Sequence, residues 1–422
     1  MNSDDSAPLS AATSTTMVDR VLPVIGLMVP LVAFFASKGM ALILVVIALA
    51  ALIDLVRAKP RSWPFGRLVP VLVGLLLAWS AMSAVWEFTP GLALTKTGQL
   101  LVIVLGGAIA FIGLGRTSAQ AARRTMWALA AGLVIGLSLT AADGASSCRL
   151  SSWSDALRGK PPADACMMFR YKVGVAVSML LCAPLFAMLW RHNRLGIVGL
   201  GMLLIAGAAA TSSHTAALNG VIGIGAFFGF LYWRRTTTTI LVALVLGLIT
   251  FAPVVASHLP TSRQAVESWH HFPSSLSHRL VIWAFTNQRI HERPLLGWGA
   301  DAARAIPGGD DTADVFDVST GTIRAIPGPQ LPLHPHNNGL QIWLEYGAVG
   351  AVLYSLLVLA LAFRLSLIDT ITSRSTALTV LSMALVTGLA SFGVWQSWWL
   401  STLWIVAGLT RVFTASGNQA RR

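Results

Sequence analysis

The chain has 422 residues, of which 55% are hydrophobic and only 11% charged. A soluble domain carries about 25% charged residues, so a soluble globular protein is excluded. The formal charge of +13 is better explained by Arg and Lys fixing orientation in a bilayer than by a nucleic-acid surface.

The predicted elements, in chain order, start with a polar tail at 1–20 that carries acids and lacks the basic region of a secretory signal. An uncleaved first helix is therefore expected. Continuous apolar runs then recur to Val412. Many are about as long as a ~30 Å hydrocarbon core needs, and they do not alternate as β-barrel strands would. They predict twelve spans: 21–36, 39–56, 68–86, 98–115, 126–142, 173–190, 195–212, 214–233, 239–257, 339–363, 376–394 and 396–413. Pro23, Pro30 and Pro184 fall inside spans, where neighbouring helices can re-satisfy the freed backbone groups. The fold class is all-α: a polytopic membrane protein of about twelve helices. Segment 21–257 holds the first nine spans, 339–413 the last three, and 414–422 is a tail.

With the N-terminus in the cytoplasm, every short inner loop is basic. Arg57, Lys59, Arg61 and Arg67 stand in the first, and Arg364 and Arg374 in the last. The short outer loops hold only Lys38, Glu87 and Lys96. This agrees with the positive-inside rule along the whole chain. Both termini are expected inside, and the long loops 143–172 and 258–338 outside. Cys148 and Cys166 share the first outer loop, where an oxidising face permits a disulfide between them; Cys182 lies within a span.

The second outer loop concentrates chemistry. It holds seven of the nine histidines: His258, His270, His271, His278, His291, His334 and His336. It also holds six arginines, no lysine and seven acids, so its net charge is near zero. Arg is suited to bidentate phosphate recognition. Arg289, Arg293, Arg304 and Arg324 read as solvated surface pairs. Ser277 is expected to cap a helix through SHRLVIWAFTNQRIHERP, ended by Pro294, Gly297 and Gly299. An amphipathic interfacial helix without a catalytic part would look similar. Neither His270–His271 nor His334–His336 has zinc-site spacing, and the acidic stretch GGDDTADVFD at 308–317 reads as solvated turns.

Two motifs now stand together: SHRLVIWAFTNQRIHERPLLGWG and HPHNNGLQIWLEYGAVG. Jointly they resemble the O-antigen ligase and polymerase superfamily, with an Arg-x-x-x-Trp helix ending in Pro-Leu-Leu-Gly-x-Gly. A His-Asn pair then leads into a helix bearing Glu-x-Gly-x-x-Gly. The residues are Arg279, Trp283, Pro294, Gly297, Gly299, His336, Asn337, Glu345, Gly347 and Gly350. The motifs occupy 277–350, and the likeness is greatest to an O-antigen ligase.

The resemblance implies a fold like that of the metal-independent, GT-C-like membrane glycosyltransferases, with no cofactor. It implies an inner-membrane enzyme of lipopolysaccharide biosynthesis with a periplasmic site. A glycan would pass from undecaprenyl pyrophosphate to a lipid A core sugar hydroxyl, with inversion and no covalent enzyme intermediate. His336 then falls to the general base, with His334 as its near rival. Asn337 and Asn338 would orient the base or hold sugar hydroxyls. Glu345 would orient His336, pair with an arginine, or make a helix-packing hydrogen bond. Arg279 is first for the pyrophosphate and Arg263 second. Arg170 and Lys172, in FRYK, either join them or anchor the interface. Many relatives carry Ser-Arg at the start of the eighth span, where this chain has His214. Three alternatives stay open. A repeat-unit polymerase and a protein oligosaccharyltransferase share the donor chemistry. A lipid-linked glycan flippase or transporter would instead place its charge near the midplane.

Overall fold

The computed structural model describes residues 16–57, 64–157, 159, 166, 168–192, 194–211, 213–269, 272–319 and 322–419. The expectations for His270 and His271, and for Lys59 and Arg61, lie outside the described residues. The helices are α1 (Met17–Phe35), α2 (Met40–Arg57), α3 (Leu68–Met82), α4 (Leu92–Leu114), α5 (Ala119–Ala145), α6 (Arg149–Leu157), α7 (Lys172–His192), α8 (Arg194–Ala210) and α9 (His214–Tyr232). They continue as α10 (Arg234–Val245), α11 (Ala252–Ser257), α12 (Ser262–Ser268), α13 (Ser274–Glu292), α14 (Asn338–Ser366), α15 (Ile371–Ala390) and α16 (Ser397–Gln419). Between α13 and α14, β1 (Thr312–Ser319) and β2 (Thr322–Pro329) form an antiparallel hairpin, with Asp317 opposite Arg324.

The chain is a polytopic membrane protein. Among the described residues, seven helices are long and apolar enough to cross a membrane: α1, α2, α3, α4, α5, α9 and α14. The outward face of α2 is hydrocarbon throughout: Leu42, Val45, Leu49, Leu52, Ile53 and Val56 are exposed, as a lipid-facing stripe at helical spacing should be. The link between α1 and α2 is a short 3₁₀ turn, Ser37–Gly39. Asp54, near the end of α2, closes this pair. Its carboxylate accepts from the backbone N–H groups of Met17 (2.8 Å) and Val18 (2.9 Å), two donors that a helix start leaves unsatisfied.

Four expectations are corrected. The all-α fold contains the 312–329 hairpin, which takes in much of the acidic stretch assigned to turns. Ser277 does not cap α13, which begins at Ser274 after Pro273. Its hydroxyl instead donates to the Phe316 carbonyl (2.5 Å) and meets the Ser262 hydroxyl (2.6 Å), fastening the hairpin to the helix. The fourth span starts at Leu92, so Lys96 is a helical, buried residue and not a loop charge. The ninth expected span is broken by a π turn, Leu246–Thr250, before α11. Pro253 explains the break: lacking an N–H, it cannot bond the carbonyl of Ile249 four residues earlier. The Trp343 indole N–H takes that carbonyl instead, at 2.9 Å.

Helix α14 is broken too. Gly347 adopts φ 62°, ψ −161°, a conformation that glycine alone reaches at low cost. The carbonyls released there are all answered. Trp298 N–H donates to Leu344 O (2.8 Å), Gly299 N–H to Glu345 O (2.9 Å), and the Trp79 indole to Tyr346 O (3.1 Å). Ala348 N–H in turn reaches Pro294 O at 2.9 Å. The Pro-Leu-Leu-Gly-x-Gly segment is therefore docked into the break in α14, which is how irregular backbone survives at such depth.

Candidate active site

The site sits where α13, the start of α14 and the 391–396 turn meet. Trp283, one helical turn beyond Arg279 on α13, donates its indole N–H to the Pro335 carbonyl (2.8 Å) and so holds the His-Pro-His loop against the helix. Asn337 caps α14, its side chain accepting from Leu340 N–H at 3.1 Å. His336 just before it has φ 55°, a left-handed conformation uncommon for a residue with a Cβ and typical of functional loops.

That backbone brings the two imidazoles together, with ring centroids 4.3 Å apart. His336 Nδ1 lies 2.6 Å from the Ser391 carbonyl oxygen. A carbonyl can only accept, so Nδ1 carries the proton and Nε2 keeps its lone pair. His336 N–H in turn donates to His334 Nδ1 (3.2 Å), which must then be unprotonated. Burial pushes the His334 imidazole down to about 3, helped by His336, Arg304 and Arg279 nearby. Burial also lowers His336; the Ser391 hydrogen bond opposes this, and Arg279 and His278 add to it. Both rings are neutral at neutral pH.

Arg279 is half-buried, and burial lowers its pKa from the ordinary guanidinium value. Its guanidinium makes no ion pair with a described residue. An unpaired cation kept partly out of water is costly unless an anion joins it. Four of the other five arginines of this loop are occupied, and Arg324 is exposed on β2. Arg263 pairs with Glu267 (2.8 Å) on an exposed helix face and lies over Phe316. Arg289 pairs with Glu292, Arg304 with Asp301, and Arg293 donates to Trp86 O and stacks on Trp298.

Asn338 is buried, and its amide donates to the Phe392 and Gly388 carbonyls, at 2.9 Å each. Glu345 is fully buried. Its carboxylate accepts from Gln341 Nε2 (2.9 Å), the Trp395 indole (2.7 Å) and Asp301 N–H (2.9 Å). These bonds join the two motifs; none runs to an arginine or to His336. Asp301 is itself paired with Lys96 (3.0 Å), and both are almost fully enclosed.

The first outer loop is fastened separately. Cys148 and Cys166 form a disulfide with Cα atoms 5.1 Å apart. The buried Asp143 accepts from Tyr171 OH (2.5 Å) and from the first amides of α6, Leu150 N (2.7 Å) and Ser151 N (3.1 Å). Arg170 lies in the 3₁₀ turn Met168–Tyr171, and Lys172 opens α7 half-buried. His214 opens α9 and is exposed.

The structure thus assembles His334, His336 and Arg279, and gives Asn337, Asn338 and Glu345 backbone and packing partners. Gln341, Ser391 and Trp395 escaped the sequence reading. Gln341 left one trace, an amide one turn before Glu345 inside an apolar run. Ser391 acts through its carbonyl, which no side chain announces.

Fold and site define a multi-pass helical membrane protein with a histidine–arginine site at one end of its bundle. Residues 199–355, which hold both motifs and the whole 258–338 loop, match the O-antigen ligase family. This is the family that the motifs resemble. The chain is also 31% identical over 168 residues to a Rickettsia conorii protein and 33% identical over 168 residues to one from Rickettsia prowazekii, each named "putative polysaccharide ligase". Each match covers 40% of this chain and 39% of the relative; the chain spans about two fifths of the length of these curated relatives.

Proposed function

We propose that this protein is an O-antigen ligase. It takes a glycan from undecaprenyl pyrophosphate and joins it to a sugar hydroxyl of the lipid A core, at the outer face of a bacterial inner membrane. The observation that carries the reading is Arg279: half-buried, free of any ion pair with the described residues, and near two neutral imidazoles. The negative charge that grows on a departing pyrophosphate is the charge such a guanidinium stabilises. His336 Nε2 takes the acceptor's hydroxyl proton while that oxygen attacks the anomeric carbon from the face opposite the leaving group. The C–O bond to phosphate breaks, both electrons go to the pyrophosphate oxygen, and the configuration inverts. Base catalysis of this kind contributes roughly 10²–10⁴-fold. Arg170 and Lys172, with His214 in place of the usual Arg, supplement the charge; Arg263 is held by Glu267 and is second to Arg279. In this reading about twelve spans leave both termini cytoplasmic and the 258–338 loop periplasmic, which the basic short loops support.

Purified protein in nanodiscs, given undecaprenyl-pyrophosphate-linked glycan and separate acceptors, tests this. Transfer to lipid A core, lowered about 10²–10⁴-fold in His336→Ala and severely impaired in Arg279→Lys, supports it. Elongation of the lipid-linked glycan would make the protein a polymerase, transfer to a peptide an oligosaccharyltransferase, and no covalent product with any acceptor a transporter.

A further inference from the structure

Three side chains tie the turn facing His336 to the broken helix α14. Gln341 accepts the Val394 N–H on Oε1 (3.0 Å) and gives its own Nε2–H to Glu345 Oε1 (2.9 Å). Glu345 Oε2 receives the Trp395 indole N–H (2.7 Å) and the Asp301 backbone N–H (2.9 Å). Gln341 and Glu345 are 3% and 0% exposed. Ser391, at the head of the same turn, supplies the carbonyl that receives His336 Nδ1–H (2.6 Å). Gly393 between them is wedged against both parties: a Cβ there would lie 3.0 Å from His334 Cδ2 and 3.3 Å from Gln341 Oε1.

We propose that Gln341, Glu345 and Trp395 are positioning residues for glycan transfer. They fix the 391–396 turn, so that the Ser391 carbonyl holds His336 as its Nδ1–H tautomer with Nε2 open to the acceptor. This deepens the ligase reading and rests on it, because it needs His336 as the base. None of the three has to touch substrate.

The chemistry requires such a hold. A neutral imidazole has two tautomers of similar energy, and the partner of one nitrogen decides which is present. A carbonyl that drifts by about an ångström loses that bond. Gln341 suits the task because one amide offers an acceptor to Val394 and a donor to Glu345. An apolar side chain of the same length would orphan both groups in a dry interior, which costs more than the hydrogen bonds themselves. Glu345 then joins the turn to the 297–301 segment, so a single carboxylate registers two loops against α14.

The test uses the full chain in nanodiscs with lipid-linked glycan donor and lipid A core acceptor. In Gln341→Met and Trp395→Phe, kcat should fall about 10- to 100-fold, a partial loss of the 10²–10⁴-fold that base catalysis supplies, while the donor KM stays within about twofold. In a His336→Ala background the same substitutions should cost nothing further. Nitrogen NMR of labelled histidine should show His336 as the Nδ1–H tautomer in the parent and a mixture in the variants. Trp395→Phe keeps a ring in place and removes only the donor, so it carries the test if Gln341→Met does not fold. Unchanged kcat, a loss confined to KM, an unmoved tautomer or additive losses in the His336→Ala background would each overturn the proposal. His336→Ala at the parent rate would instead overturn the base reading, and the proposal with it.

Discussion

Gly297 lies against the backbone of Glu345 so closely that a Cβ on it would stand 2.5 Å from the Glu345 carbonyl carbon. Gly347 is pressed in the same way against the Leu295 carbonyl. The two family motifs therefore interlock through glycines at positive φ, 71° and 62°, and each loses its place if the other gains a side chain.

Gly297→Ala and Gly347→Ala should each destabilise the protein. Strained φ costs about 1–3 kcal/mol, and the backbone clash adds to it. The thermal midpoint of detergent-solubilised protein, followed by tryptophan fluorescence, should drop for both, and transfer should fall even where the variant still folds. Gly98, inside α4, whose Cβ would meet nothing within 4 Å, is the control: Gly98→Ala should leave the midpoint unchanged or raise it slightly.

His336 is held below the ordinary imidazole value by burial, then by Arg279 and His278, against the opposing Ser391 bond. A base with a lowered pKa stays unprotonated further into acid. The acid limb of kcat/KM should consequently be centred below pH 6.5, so activity at pH 6.5 should stay above half of its plateau. A pH–rate profile measured with donor well below KM reads this directly, and a limb centred above 6.5 would contradict it.

The helical plan was legible because lipid demands unbroken apolar runs, with basic residues gathered in the short links between them. His336 and Arg279 were legible as motif residues. What escaped has a common physical cause. Ser391 contributes a carbonyl, and the Gln341 partner is the backbone of Val394, so neither leaves a pattern in side chains. Lys96 looked like a loop charge, yet its partner Asp301 is supplied by a segment far along the chain. The hairpin was hidden by the acids and glycines of 308–317, which propensity assigns to turns; its strand β1 is held by α12 and α13 through Ser262 and Ser277.

The Lys96–Asp301 pair makes its own prediction. Both side chains are 9% exposed, and removing one partner of a buried pair leaves an uncompensated charge, at about 3–5 kcal/mol. Lys96→Met should therefore lower the thermal midpoint markedly, tempered by the Arg304 contact to Asp301. Adding Asp301→Asn should recover part of the loss, because the orphaned charge is gone. A double variant less stable than Lys96→Met would show that the pair is not coupled in this way.

His334 links folding to pH. Its folded value of about 3 lies below the ordinary 6.5 of an unfolded chain. The unfolded state therefore binds more protons between those values, so stability falls as pH drops from 6.5 toward 3. The slope contributed by one such group approaches about 1.4 kcal/mol per pH unit. His336, also lowered, pulls in the same direction. The thermal midpoint of the parent should decline between pH 6.5 and 4.5. In His334→Asn, which keeps an amide able to accept from His336 N–H and does not titrate, the decline should be shallower and the two curves should converge toward acid. Parallel curves would place the acid sensitivity elsewhere in the protein.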